Sequence, residues 1–239
     1  MRKDAAGAFV CKMAFYTGAG DKGTTSIIGR LNIGKDDARI EALGCFDELN
    51  ATVGVVIAFS DSANAINALK SVQDDLHTIC AELAATVENM PQITEKHVQR
   101  IESLIGDAEK YVEPQRSFVL PGGNREAALL HLARTVSRRA ERQLVRLSKE
   151  TQVNQFLLKY SNRLSSLFHI MARVENKLNN VAEENPKYEF WEQNPNRQQH
   201  GPASAINSGC GLTPFAKPKS LLRLDPVDCC PLGSGQSEK

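Results

Sequence analysis

Apolar residues recur every three or four positions along most of the chain between residues 38 and 179. This is the spacing of helices that bury one face and expose the other. The pattern predicts five helices, roughly over 38–59, 66–87 with a stop at Pro91, 94–112 with Thr94 as N-cap, 125–148 and 154–179. Because the connections between them are short, we expect an all-α fold, a five-helix antiparallel bundle.

The two ends of the chain depart from this pattern. We interpret residues 1–12 as an N-terminal extension and residues 13–184 as the helical-bundle domain, with a glycine-rich loop before its first helix. From about residue 185, Pro, Asn, Gln, Gly and Ser dominate, and the periodicity ends. This composition predicts a low-complexity, disordered tail over 185–239. Cys229 and Cys230 are adjacent in the tail, a weak indication of a redox or metal-binding role.

The overall charge excludes some kinds of partner. The formal net charge is +1, so no long-range field attracts nucleic acid or a membrane surface, and any anion site must be a local cluster. No apolar run reaches the roughly 18 residues that span a bilayer. The six cysteines form no C-x-x-C pair, and the N-terminus does not have the pattern of a secretory signal. We therefore expect a cytoplasmic protein, or one of the mitochondrial matrix if its source is eukaryotic.

Residues Gly18 to Gly23 match the dinucleotide-binding pattern G-x-G-x-x-G. That pattern requires a strand before the turn and a helix after it, whereas the following residues have no helical stripe and no βαβ units follow. A Walker A loop is excluded as well, because Lys22-Gly23-Thr24 has the wrong order. Two interpretations remain: a mobile loop without a ligand, or a loop that wraps a polyphosphate. The hydroxyl and cationic residues that favour the second are Thr17, Thr24, Thr25, Ser26, Lys22, Arg30 and Lys35.

Two of the predicted helices carry polar stripes opposite their apolar faces. At about 100° per residue, the stripe of the fourth helix contains Arg134, Arg138, Glu141 and Arg142, with Arg139 at its margin. The stripe of the fifth contains Asn162, Ser166, His169 and Arg173. A solvated face explains either stripe alone. Two such stripes together with the loop favour a phosphate site, because arginine binds phosphate oxygens bidentately. We interpret His169 as a hydrogen-bonded structural histidine.

Five segments, YTGAGDKGTTS, RIEALGCFDELNA, FVLPGG, RTVSRRAER and NRLSSLF, occur in this order. They make residues 13–180 resemble the PduO-type ATP:cob(I)alamin adenosyltransferases. The resemblance implies a homotrimer of five-helix bundles with active sites between neighbouring subunits. It also implies transfer of the 5′-deoxyadenosyl group of MgATP to cob(I)alamin, which gives adenosylcobalamin and triphosphate by direct attack of Co(I) on C5′. A flavoprotein reductase and a B12-dependent client enzyme are the further partners that this reaction implies.

The resemblance also assigns roles to residues. It implies that Phe118 contacts cobalamin and excludes the lower axial ligand, that Arg138 is catalytic, and that Asp47 pairs with Arg134 across the subunit boundary. Magnesium is expected to enter with ATP, and no protein side chain is assigned to it. The implied ATP-binding residues are Thr17, Gly18, Ala19, Gly20, Thr25, Ser26, Lys35, Arg138, Arg139, Glu141, Arg142 and Asn162.

This sequence differs from the family pattern at two of these motifs. Gly18 stands where members usually carry Lys or Arg, and Ser166 stands where they usually carry Asp. A side-chain phosphate contact is therefore missing at the first position, and a metal or polar role is weakened at the second. Two other functions are alternatives. The protein could be a non-catalytic corrinoid carrier that delivers its cargo to an enzyme, or a structural bundle whose arginines only join subunits.

Overall fold

In the computed structural model, the described residues are 2–3, 9–10, 18–87 and 90–187. The helices in this part of the chain are α1 Ala38–Ala58, α2 Ala63–Leu83, α3 Glu95–Glu109, α4 Arg125–Leu147 and α5 Gln155–Leu178. The predicted all-α bundle of five helices is thus confirmed. The domain boundaries stay a prediction, and the proposed tail falls almost wholly outside the described residues.

Polar side chains mark the start of each helix. Asn124 accepts a hydrogen bond from the backbone N–H of Ala127 at 2.7 Å, which caps α4. The predicted N-cap Thr94 is confirmed for α3, where the backbone N–H of Thr94 donates to Nδ1 of His97 at 3.0 Å. Since these bonds satisfy backbone donors that have no partner within the helix, they fix where the helices begin.

The core is formed by the apolar faces of the helices. Helix α4 packs against both α1 and α5, while α2 packs on α1 and α3 packs on α5. The largest fully buried side chains include Phe46, Leu69, Leu144, Tyr160 and Phe168. None of the helices in the described ranges is both long and apolar enough to cross a membrane.

The prediction that α2 continues to Val87 is wrong, because the helix ends at Leu83. Backbone groups beyond its end pair with the N-terminal segment instead. The N–H of Ile28 donates to the carbonyl of Ala84 at 2.9 Å, and the N–H of Thr86 donates to the carbonyl of Ile28 at 2.9 Å. Tertiary pairing therefore overrides the helical periodicity here, and Val87 is half exposed.

The segment interpreted as a loop contains a hairpin. Strands β3 Thr24–Ile27 and β4 Arg30–Gly34 pair antiparallel, with Gly29 at the turn at a φ of +89°. The shorter strands β1 Arg2–Lys3 and β2 Phe9–Val10 also pair antiparallel. Runs of β-branched residues beside glycine favour such hairpins. The lack of a helical stripe in this segment predicted only a loop, so the strands were missed.

A buried carboxylate joins three helices. Asp75 of α2, 3% exposed, accepts a hydrogen bond from the hydroxyl of Tyr160 of α5 at 2.8 Å. Its other oxygen pairs with Arg100 of α3, and Nε2 of His97 lies 3.8 Å from the same oxygen. Burial and the neighbouring Asp75 raise the pKa of Tyr160 well above its ordinary value. Since a buried carboxylate needs partners, this network fixes α3 against the rest of the bundle.

Candidate active site

A cavity of about 380 Å³ lies between α4, α5 and the loop that joins α3 to α4. Of the residues singled out in the sequence, it brings together Phe118, Arg134, Arg138, Ser166 and His169. The other lining residues are Gln115, Val119, His131 and Ser165. An exposed aromatic ring therefore shares one cavity with two guanidinium groups.

The loop that carries Phe118 is anchored at its end by α5. The buried Asn176 accepts from the backbone N–H of Asn124 at 3.0 Å and donates to the carbonyl of Gly122 at 3.1 Å. Gly123, at a φ of +109°, lies so close to the Asn176 amide that an added Cβ would collide with it. These contacts hold the backbone while the Phe118 side chain stays 62% exposed. The ring lines the cavity rather than packing into the core.

The two arginines of the cavity lie one helical turn apart on α4. Arg138 is exposed, whereas the Nε of Arg134 is buried and has no hydrogen-bond partner among the described residues. Burial, and then the charge of Arg138, lower the pKa of Arg134. Two adjacent guanidinium groups without a counter-ion in the described chain form a site suited to an anion.

Two histidines, His131 and His169, lie behind these arginines with ring centroids 5.8 Å apart. His169 hydrogen-bonds Oε1 of Gln115 through Nε2 at 2.8 Å, in agreement with the structural role predicted for it. Burial lowers the pKa of both, to about 4 for His131. Near neutral pH both rings are uncharged, and Arg134 and Arg138 supply the positive charge of the cavity lining.

The remaining stripe residues divide between two sets of contacts. Asn162 of α5 donates to Oε1 of Glu141 of α4 at 2.8 Å, so these two predicted ATP residues are joined. Arg139 forms an ion pair with Glu48 of α1 and points away from the cavity lining. Arg142 is exposed on α4. Helical spacing placed Arg139 at the margin of the stripe, and the structure assigns it to the α1 side.

The glycine-rich loop forms its own compact turn before α1. The carbonyl of Gly18 accepts from the N–H of Asp21 at 3.2 Å, and that of Gly23 accepts from the N–H of Lys35 at 2.9 Å. A Cβ added to Gly20 would lie 3.0 Å from Nζ of Lys35, so the ammonium group rests directly over the turn. The loop and Lys35 are therefore brought together as predicted.

The hairpin positions the other loop residues. Thr25 pairs with Ile33 in the strand register, and the Ser26 hydroxyl accepts weakly from the backbone N–H of Asn32 at 3.5 Å. Ala19 is exposed, and Thr17 lies outside the described residues. None of the hydrogen bonds or ion pairs found for the hairpin residues 24–34 joins them to the α4 stripe.

Asp47 lies on α1, exposed, and its charge helps burial to raise the pKa of Cys80 of α2 to about 11. Within the described ranges, neither Asp47 nor Arg134 has an ion-pair partner. Within these ranges both side chains are therefore unpaired and available for the expected contact across a subunit boundary. Over the same ranges, no group of three or more His, Cys, Asp or Glu side chains is arranged to hold a metal ion.

Sequence reasoning missed His131 and Gln115 as lining residues. His131 lies in an apolar run on α4, AALLHLA, and such a position is typical of a core histidine. Its position three residues before Arg134, about one helical turn, is the signal that would have placed it on the same side of the helix. Gln115 is in the irregular segment before FVLPGG, where no periodicity applies.

The neutral state of His131 predicts a pH dependence of stability. Its folded-state pKa lies below the ordinary 6.5, so the unfolded chain binds the proton more readily between those values. The contribution of His131 to the free energy of unfolding is fully present above about pH 6.5 and decreases as the pH falls towards 4. At about pH 5 the loss is roughly 1–2 kcal/mol, measurable by chemical denaturation at a series of pH values.

His131→Leu removes the titrating ring without breaking a hydrogen bond found in the described chain. We expect this variant to lose less stability between pH 7 and pH 5 than the unmodified protein. His77→Leu, a change at an exposed position of α2, is the matched control and retains the original slope. An identical slope for His131→Leu and the unmodified protein would contradict the buried neutral state.

Known proteins resemble this chain in sequence. Residues 15–175 match the family model "Cobalamin adenosyltransferase". The corrinoid adenosyltransferase PduO of Salmonella typhimurium is 40% identical over 167 residues, which cover 68% of this chain and 50% of that protein. The corrinoid adenosyltransferase of Bacillus subtilis is 37% identical over 177 residues, covering 72% of this chain and 91% of that protein. The chain thus spans about half the length of the Salmonella relative.

Solved structures give the same result for the fold. A phenylalanine-to-alanine variant of the PduO-type ATP:corrinoid adenosyltransferase of Lactobacillus reuteri, complexed with cobalamin and ATP, superposes with a TM-score of 0.70 at 35% identity. The superposition covers 73% of this chain and all of that chain. An arginine-to-lysine variant complexed with ATP gives a TM-score of 0.68 at 36% identity, covering 72% and 99%. The chain therefore belongs to the cobalamin adenosyltransferase family.

Proposed function

We propose that the protein transfers the 5′-deoxyadenosyl group of MgATP to cob(I)alamin and releases triphosphate. The observation that carries this proposal is the cavity in which the exposed ring of Phe118 faces the same space as Arg134 and Arg138. An apolar surface suits the face of a corrinoid, and the exposed guanidinium of Arg138 suits a leaving polyphosphate. The Lactobacillus reuteri neighbour binds both ligands together, cobalamin and ATP.

Phe118 acts on the corrinoid side of the site. Its exposed ring lines the cavity, and in the proposed complex it would exclude the lower axial ligand of the corrinoid. Without that ligand, the cobalt orbital that accepts an electron is lower in energy, so Co(I) forms more readily. The protein thereby adjusts the reactivity of the corrinoid through the shape of its cavity rather than through an acid or base.

The nucleotide side uses backbone amides, hydroxyl groups and cations. The turn from Gly18 to Gly20, with Lys35 above it, offers donors to phosphate oxygens, and Thr17, Thr25 and Ser26 supply further hydroxyl groups. On the helices, Glu141 and Asn162 orient the nucleotide, and Arg138, Arg139 and Arg142 supply charge. For Arg139 this role requires release from its ion pair with Glu48.

In the proposed step the Co(I) electron pair attacks C5′ of ATP. The Co–C bond forms as the C5′–O bond breaks, and triphosphate leaves with the bonding electron pair. Co(I) is a strong nucleophile, so no side chain has to be activated. The protein contributes alignment of the two reactants and stabilisation of the charge that develops on triphosphate. Arg138 and Lys35 are the cations assigned to that charge.

Magnesium would enter with the triphosphate, since Mg²⁺ is usually held by substrate phosphates, water and one or two carboxylates. Glu141 is the carboxylate of the α4 stripe and could serve as such a ligand, because its second oxygen has no hydrogen bond to Asn162. When bound, the ion neutralises phosphate charge in the ground state and in the transition state.

Arg138→Ala tests the leaving-group role. Removing a donor aimed at developing charge costs about two to three orders of magnitude in turnover, so we expect a loss in kcat of at least that order. The measurement is the rate of adenosylcobalamin formation with chemically reduced cobalamin, followed by absorbance. Arg146→Ala, an exposed arginine in the last turn of the same helix, is the control and should remain active. Full turnover in Arg138→Ala would refute the assignment.

We also propose a homotrimer in which Asp47 of one subunit meets Arg134 of another. The unpaired and partly buried guanidinium of Arg134, with the unpaired carboxylate of Asp47, supports this pairing. We propose further that the loop of one copy lies beside the α4 stripe of its neighbour, so that each site needs two subunits.

Asp47→Asn should weaken assembly, because leaving one buried partner of an ion pair unmatched costs about 3–5 kcal/mol. Light scattering at decreasing protein concentration measures the trimer, and the transfer rate is followed in parallel. Asp107→Asn, which breaks the exposed pair with Lys110, is the control with no expected effect. An Asp47→Asn protein that is a stable and fully active trimer would exclude the pairing.

A further inference from the structure

A chain of three hydrogen bonds joins α4, α5 and α3 beside the cavity. Asn162 donates through Nδ2 to Oε1 of Glu141 at 2.8 Å. Its Oδ1 accepts from Nη1 of Arg163 at 2.8 Å. Arg163 in turn donates through Nε to Oε1 of Glu102, on α3, at 2.9 Å. Glu102 is thus connected to Glu141, and none of the four residues is among those that line the cavity.

The donor and acceptor groups of the neighbours allow only one orientation of the Asn162 amide. A guanidinium group only donates hydrogen bonds, so the oxygen of the Asn162 amide must face Arg163. The NH₂ of the same amide is then turned towards Glu141, whose ionised carboxylate only accepts. Without Arg163 the amide oxygen would lose its donor, and only the bond to Glu141 would hold the side chain. Arg163 and Glu141 therefore hold the Asn162 amide from its two ends, and Arg163 supplies the restraint on its oxygen.

Arg163 makes this contact in a geometry that lysine cannot copy. Its Nε and Nη1 lie on one planar fork, and each serves a different partner, Glu102 and Asn162. A lysine has the same charge but a single flexible ammonium group. Glu102 accepts from Nε of the same guanidinium group, so the position of Arg163 against Asn162 depends on a residue of α3.

The pair adds little to stability. The side chains of Arg163 and Glu102 are 39% and 47% exposed, and exposed ion pairs contribute about 0–1 kcal/mol. An orienting role therefore accounts for the pair better than a stabilising one. We propose that Arg163 and Glu102 are positioning residues that orient Asn162 and Glu141 for the nucleotide. This inference rests on the proposed function, which places ATP at those two residues.

The test measures ATP affinity and kinetics in Arg163→Lys and Glu102→Ala. Loss of a hydrogen bond to a charged group corresponds to roughly a tenfold change in binding. We expect KM and the calorimetric Kd for ATP to rise by about that factor in both variants, while KM for cobalamin and the melting temperature stay close to those of the unmodified protein. Lys110→Ala, which removes an exposed ion pair at the end of α3, is the control and should change none of these.

The double variant tests whether Glu102 acts through Arg163. If it does, Glu102→Ala should add little to the effect of Arg163→Lys, because the connection to Asn162 is already weakened. Fully additive effects, or unchanged ATP binding in either single variant, would overturn the inference while leaving the transfer reaction intact. An unmodified protein that neither binds ATP nor forms adenosylcobalamin would overturn the proposed function and this inference together.

Discussion

The packing of α4 against its neighbours is the constraint on which the site depends. Small residues, Ala127, Ala133 and Ala140, are fully buried along α4 and permit α1 and α5 to approach closely. Because the helix has 3.6 residues per turn, burying these positions fixes the direction of Arg134 and Arg138. The cavity then forms where the α4 stripe meets α5 and the anchored FVLPGG loop. A bulkier residue on the buried face would move both arginines.

The site combines groups that are charged with groups that burial keeps neutral. Burial lowers the pKa of His131 to about 4 and lowers that of Arg134, while Arg138 remains exposed beside them. An anion that enters the cavity therefore meets arginines rather than imidazolium groups. In the proposed reaction, charge on the leaving triphosphate is met by guanidinium groups rather than by imidazole rings.

Periodicity predicted the helices and the polar stripes well, because both follow from the geometry of a single helix. It failed where contacts distant in sequence decide the structure. The end of α2 was placed too late, since Ile28 pairs with Ala84 and Thr86 across more than fifty residues. The link from Arg163 to Glu102 spans 61 positions and leaves no trace in spacing. The functional assignment came from the order of five motifs rather than from the apparent dinucleotide pattern at Gly18–Gly23.

The most direct test of the account is the product balance of a single turnover. The protein is mixed with MgATP and chemically reduced cobalamin, and both adenosylcobalamin and the phosphate products are quantified. Direct attack on C5′ predicts one triphosphate for each adenosylcobalamin formed. Diphosphate or phosphate released in place of triphosphate, or ATP consumed without formation of a cobalt–carbon bond, would contradict it.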